Sequence, residues 1–271
     1  MDTHVFHAMG TEIELLVDGS ARDRWEEIEI EFERIEQSMS RFRPDSELSR
    51  LNRDGRIVAS SSFVDVVTSA VAARDSSGGL FDPTVHDAVV AAGYDRTFEH
   101  LENQRHAPNG GAPCGGEVDV NGSRITLAPG VRLDLGGIAK GYAADRAAEL
   151  LAESGPSLVN AGGDVATRGG SWPVGVETAD GTITLLLERG ALATSGSDRR
   201  HWAVERGTAH HLIDPRTGRP AETDILRATV VAGSAVEAEV LAKTAFLGGV
   251  VDAPRVLVTR DGRTILAGGL E

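Results

Sequence analysis

The chain has 271 residues, enough for one large domain or two small ones. Lys and Arg number 27 against 41 Asp and Glu, a formal charge of −14 that repels phosphate backbones and argues against general nucleic-acid binding. Hydrophobic residues make up 41%, too many for a disordered chain, and aromatics only 4%, so the core is mostly Ala, Val, Leu and Ile. Glycine is abundant, 32 residues. Without a collagen period, that abundance means many tight turns and backbone-lined sites.

The start, Met1-Asp2-Thr3-His4-Val5-Phe6-His7, has no basic region followed by an apolar one. No apolar run approaches the ~20 residues of a membrane span, so direct membrane insertion is not expected. The sequence as given reads as cytoplasmic. The one cysteine, Cys114, excludes an intramolecular disulfide and reads as incidental rather than catalytic.

Ile13, Leu15 and Val17 predict a first strand. Gly19-Ser20 ends it, with Ser20 as a helix cap. Trp25, Ile28, Phe32, Ile35 and Met39 recur at three and four residues, an amphipathic helix with an acidic outer face. Residues 41–54 are polar with turn residues Pro44 and Asp45. Phe63, Val66, Val67, Ala70 and Val71 share one side of a second helix. Residues 107–117 form a loop of small residues. Asn121-Gly122, Asp180-Gly181 and Asp261-Gly262 predict hairpins. Ala139 to Ser154 is helical until Gly155-Pro156, Ala235 to Leu247 is the last helix, and 255–267 the last hairpin. The hairpins make the sheets largely antiparallel, so the fold class is α+β. No internal repeat or linker divides the chain, which reads as one domain over 1–271.

Five segments join glycine to polar residues. Ala8-Met9-Gly10-Thr11 enters the first strand. In Gly78-Gly79-Leu80-Phe81-Asp82-Pro83-Thr84, Asp82 or Thr84 is expected to cap a helix. Leu133 to Tyr142 runs from strand through Gly136-Gly137 into a helix, where free N–H groups and Lys140 favour an anion. It is neither a Walker nor a Rossmann motif. Asn160-Ala161-Gly162-Gly163-Asp164 ends a strand in a polar turn. Thr194-Ser195-Gly196 precedes His210-His211-Leu212-Ile213-Asp214-Pro215-Arg216-Thr217-Gly218, where a histidine beside a turn is a candidate base. The spacing does not suit zinc.

In this order the segments resemble the FAD:protein FMN transferase family, also called the ApbE family. Ser40 to Asn52 is similar to the family's S-x-Y-x-x-x-S-E-[IL]-x-x-[LF]-N stretch, Asp134 to Tyr142 to D-L-G-G-I-A-K-G-Y, and His211 to Gly218 to H-x-[IL]-D-P-x-T-G. The likeness runs from Met9 to about Gly249. It implies an α+β fold of two intimately packed lobes with FAD in the cleft between them. It implies Mg²⁺-dependent transfer of the FMN half of FAD to a threonine hydroxyl of an acceptor protein, usually a redox subunit, with release of AMP. By the same match Met9, Phe42, Leu80, Phe81, Asp82, Asp134, Lys140, Thr194, Ser195, Gly196 and Ile213 are FAD-binding positions. Gly137 supplies a metal ligand through its carbonyl, His211 is the candidate base, and Lys140 is also a catalytic residue.

Two positions depart from the family pattern. Phe42 stands where Tyr is common, which keeps stacking and loses the hydroxyl. The last helix, normally A-D-x-x-[AD]-T with Asp and Thr on Mg²⁺, reads Ala238-Glu239-Val240-Leu241-Ala242-Lys243. Glu239 keeps a carboxylate, but a Lys ammonium cannot ligate a cation. Three outcomes are open. Lys243 points away and leaves a weaker metal site on Glu239 and Gly137. It pairs with Glu239 one turn away and stands in for the metal charge. Or the chain binds or hydrolyses FAD without transferring FMN.

Overall fold

The computed structural model describes residues 1–101, 111–204 and 207–270. Of the loop read over 107–117, residues 107–110 lie outside the described residues, and 111–117 carry no regular structure. Six α-helices are described: α1 Trp25–Met39, α2 Glu47–Asp54, α3 Ser61–Ser76, α4 His86–Ala91, α5 Ala139–Leu150 and α6 Ala235–Phe246. None is long and apolar enough to cross a membrane. The strand pairings are largely antiparallel, so the α+β expectation holds.

The chain divides into two units. The first comprises Met1–Glu36, Ile138–Ser195 and Asp224–Glu271. Its eight-stranded sheet runs in the order Asp2–Ala8, Thr11–Val17, Ser157–Ala161, Asp164–Arg168, Gly190–Gly196, Ile225–Ala232, Arg255–Thr259, Thr264–Ala267. Alternation puts Ile13, Leu15 and Val17 wholly inside. The predicted helical stripe is also inside, with Ile28, Phe32 and Ile35 at 1% exposure or less. The strand Asp2–Ala8 was not anticipated. It pairs with Thr11–Val17 across the two-residue turn Met9-Gly10, and both turn residues have positive φ. That matches the right-handed twist of a hairpin, although Met9, at φ 54°, is a side chain that rarely adopts it. The Met9 N–H donates to Glu36 at 2.6 Å. Helix α1 begins at Trp25, so Ser20 is not its cap.

Helices α5 and α6 cross closely in this unit. A Cβ on Gly141 would lie 2.6 Å from the Ala235 carbonyl oxygen, so only glycine fits. Each helix start is satisfied by a carboxylate from the other. Asp145 accepts from the Ala235 and Val236 N–H groups at 2.9 and 3.0 Å, and Glu239 accepts from Gly141 N–H at 3.0 Å.

The second unit comprises Gln37–Gly137 and Gly196–Thr223. It holds a three-stranded sheet in the order Arg56–Val58, Arg124–Leu127, Val118–Asn121, with α2, α3 and α4. Phe63, Val66, Val67 and Ala70 of α3 are wholly buried, as their spacing requires. Residues 47–54, read only as part of a polar stretch, are helix α2. Ser46 caps it by accepting from Ser49 N–H at 2.9 Å, and Leu48 and Leu51 bury one face. Neither Asp82 nor Thr84 caps a helix. Helix α4 starts at His86 without a side-chain cap, and Asp82 instead accepts from the N–H and hydroxyl of Thr84 at 2.8 and 2.7 Å. The three Gly dipeptides all fall at or beside hairpin turns, one in this unit and two in the first.

Gly141→Ala is expected to cost about 1–3 kcal/mol in urea denaturation, because the new methyl group meets backbone that cannot step aside. Burial pushes the Cys114 thiol up to about 11, helped by Asp82, Asp214 and Asp87. Its alkylation by iodoacetamide at pH 8 is therefore expected to be roughly 100-fold slower than that of a free thiol.

Candidate functional site

In the first unit, α5, α6 and the Asp164–Arg168 strand place four charges together. Lys140 is the second residue of α5, and its ammonium contacts Asp164 and reaches Glu239 Oε1 at 3.1 Å. Lys243, one turn beyond Glu239 on α6, reaches the same Oε1 at 3.1 Å. Oε2 takes the Gly141 N–H. The carboxylates lie deepest, with side chains 4% (Asp164) and 2% (Glu239) exposed, while Lys140 and Lys243 are 15% and 17% exposed. Two ammoniums and two carboxylates balance, which is how charges are tolerated at this depth.

Burial alone pushes the Glu239 carboxyl up. Lys140, Lys243 and the Gly141 N–H pull it down further, to about 2. Burial, with the neighbouring Glu239 charge, outweighs the lysines at Asp164 and raises it to about 6.

This cluster does not fit a magnesium ion. One Glu239 oxygen is shared by two ammoniums and the other is held by a backbone N–H. A divalent cation there would meet two like charges within a few ångströms. The neighbouring Thr244 hydroxyl donates back to the Val240 carbonyl at 2.9 Å. Among the described residues no group of three or more His, Cys, Asp or Glu is placed to hold a metal. Of the three outcomes open for Lys243, the structure shows the pairing with Glu239.

The second unit gathers a different set. Arg41, its side chain 8% exposed, donates from Nε to Asp134 at 2.9 Å. Its guanidinium lies 4.1 Å over the Phe42 ring and 4.6 Å over Tyr94, so the charge is held by a carboxylate and two π faces. Asp134 in turn accepts from Gly136 N–H at 2.7 Å. The segment is anchored by Asn52, which exchanges two hydrogen bonds with the Leu133 backbone at 2.7 and 2.8 Å. Asp134 N–H also donates to the Pro83 carbonyl at 2.8 Å, tying this segment to the one that carries Leu80, Phe81 and Asp82. Phe81 and Asp82 are buried and Leu80 is half-buried.

His211 is half-buried, with Nδ1 3.3 Å from the Arg200 carbonyl. A carbonyl only accepts, so Nδ1 carries the proton in that contact and the basic lone pair lies on Nε2. Ile213 packs in an apolar cluster with Trp202, Leu101 and Val89, which gives it a core role in its own right. Thr194 is exposed and bonds the Thr229 hydroxyl at 2.9 Å, and Ser195 is buried. Met9, Lys140, Thr194, Ser195, Glu239 and Lys243 thus belong to the first unit. Phe42, Leu80, Phe81, Asp82, Asp134, Gly137, Gly196, His211 and Ile213 belong to the second. Two residues were passed over as site candidates in the sequence. Asp164 read as the polar end of a turn, and Arg41 lay in the polar stretch 41–54 without a role of its own.

A model of the ApbE family matches residues 9–266. The FAD:protein FMN transferase of Salmonella typhimurium is 30% identical over 225 residues, 74% of this chain and 64% of that protein. The chain therefore spans just under two thirds of that relative's length. The FAD:protein FMN transferase of Haemophilus influenzae is 28% identical over 272 residues, 89% of this chain and 79% of that one. Among solved structures, the ApbE protein of Thermotoga maritima matches with a TM-score of 0.86 at 26% identity, over 98% of this chain and 96% of that one.

Glu239→Gln would leave Lys140 and Lys243 around a neutral amide. It is expected to cost about 3–5 kcal/mol at neutral pH, measured by urea denaturation. A depressed carboxyl contributes stability that is present above its unfolded value of 4.5 and lost as pH falls toward about 2. The gap between wild type and variant is therefore expected to close over that window.

Proposed function

The chain belongs to the ApbE family, and from that we propose that it is an FAD:protein FMN transferase that esterifies a threonine hydroxyl of an acceptor protein. The observation that carries this reading is the family match over residues 9–266, which takes in every segment singled out in the sequence. The threonine oxygen attacks the phosphorus of the FMN half of FAD. The bond from that phosphorus to the bridging oxygen breaks, and AMP leaves with that oxygen. The hydroxyl proton passes to a base, and His211 is the residue proposed for it, because its Nδ1 is turned to the Arg200 carbonyl and its lone pair lies on Nε2.

Positioning and charge stabilisation supply most of the rate in such transfers. Lys140 is the proposed donor to the pyrophosphate, held in place by Asp164 and Glu239. Phe42, stiffened by the Arg41 guanidinium over its ring, is a proposed stacking surface for an aromatic ring of FAD. A magnesium ion would ordinarily neutralise charge on a pyrophosphate. Glu239 is already committed to two lysines, so no step is assigned to a metal.

Incubation with FAD and a threonine-bearing acceptor is expected to give an acceptor heavier by one FMN ester, with one AMP per adduct, read by intact-mass spectrometry and nucleotide chromatography. AMP with free FMN and no adduct would show hydrolysis and overturn the transferase reading. His211→Ala is expected to slow adduct formation by about 10²–10⁴-fold.

A further inference from the structure

The position that most departs from the family pattern sits against a buried carboxylate. Lys243 lies one helical turn from Glu239, and its ammonium contacts a carboxylate whose side chain is 2% exposed. Lys140 reaches the same oxygen from α5. Two unit positive charges thus converge on one carboxylate oxygen, the charge a divalent cation would bring to it. The two ammoniums are the more exposed members of the cluster, with Asp164 and Glu239 beneath them. An anion approaching from solvent meets the donors first. The Lys243 ammonium carries three N–H donors, so its contact with Glu239 leaves further donors to point elsewhere.

We infer that Lys243 replaces the divalent cation in this chain, so that the FAD pyrophosphate is bound by the ammoniums of Lys140 and Lys243 and no metal is required. The inference rests on the FAD reading above and goes beyond it by naming what opposes the pyrophosphate charge. The chemistry follows from the residues. The family pattern places a neutral hydroxyl at this position, and with one there Glu239 and Asp164 would face Lys140 alone. The cluster would carry a net negative charge that draws in a cation. With Lys243 present the four side chains are neutral in sum and repel a second cation locally. An ammonium binds phosphate as a point charge and does not require octahedral geometry.

The test compares wild type with Lys243→Thr. Manganese(II) serves as the metal probe, and its binding is read by the loss of free-ion signal in electron paramagnetic resonance. FAD affinity is read by flavin fluorescence in EDTA and in magnesium. Wild type is expected to take up no manganese and to bind FAD with affinities within about twofold in the two buffers. Lys243→Thr is expected to take up manganese and to bind FAD about tenfold or more weakly in EDTA, with recovery in magnesium. A thermal melt checks that the variant folds, and the wild-type titrations stand on their own if it does not. Stoichiometric manganese uptake by wild type, or a tenfold loss of FAD affinity in EDTA, would overturn the inference even if FMN transfer is observed. Metal-independent FAD binding without any adduct would leave the inference standing and remove only the transferase reading. A wild type that binds no FAD in either buffer would overturn both.

Discussion

The crossing of α5 and α6 is the contact on which the first unit's chemistry depends. Gly141 lets the two backbones approach, and each helix start takes its missing acceptor from the other helix. The arrangement is reciprocal in a physical sense. Without Gly141 the helices separate, and Glu239 loses the N–H that holds its Oε2. Without Asp145 the first turn of α6, which carries Glu239 one turn further on, keeps its Ser234 cap but loses the acceptor for the Ala235 and Val236 N–H groups. Burial raises the Asp145 carboxyl, and the Ala235 and Val236 N–H groups work against that rise. The position of the four-charge cluster is thus set by one glycine clearance and two carboxylate acceptors before any ligand is considered.

Helix α5 was read from its sequence as an anion site, on the strength of free N–H groups at its start and of Lys140. The structure divides those two contributions. Gly141 N–H is spent on Glu239, while Lys140 is held between two carboxylates. The helix start therefore orders the site, and the lysine carries the positive charge. A chain of net charge −14 thus keeps two ammoniums on the more exposed side of a cluster that is neutral in sum. The cluster's carboxylates are buried and neutralised, and salt screens the exposed acidic face of α1.

What was legible in the sequence was local. Helices α1, α3, α5 and α6 declare themselves through three- and four-residue spacing, and the hairpins through Gly beside Asn or Asp. The Glu239–Lys243 pair was visible for the same reason, since its partners are four residues apart on one helix. The Lys140 contacts were not visible, because they join residues 24 and 99 positions apart, which no periodicity links. Helix α2 was missed because two buried leucines in eight residues make a weak period, although Ser46 stood at its start. The Met9-Gly10 turn was missed because its first residue disfavours the conformation it adopts. There the pairing of seven residues on each strand outweighs the local preference.

The two units hold positive charge by different means, and the contrast follows from the chemistry of the two side chains. Arg41 is planar and weakly hydrated, so it can lie flat over Phe42 and Tyr94 while one edge bonds Asp134. Its charge is directed by ring faces and is fixed in orientation. Lys140 and Lys243 are compact charges on flexible stems, set on the carboxylates beneath them. Such ammoniums can turn their remaining donors toward an anion without leaving those carboxylates. A group that must accept a pyrophosphate and then release part of it is served by the second arrangement. The first suits a surface that must keep one orientation. Lys243 belongs with the second kind, a charge set on a carboxylate of its own helix.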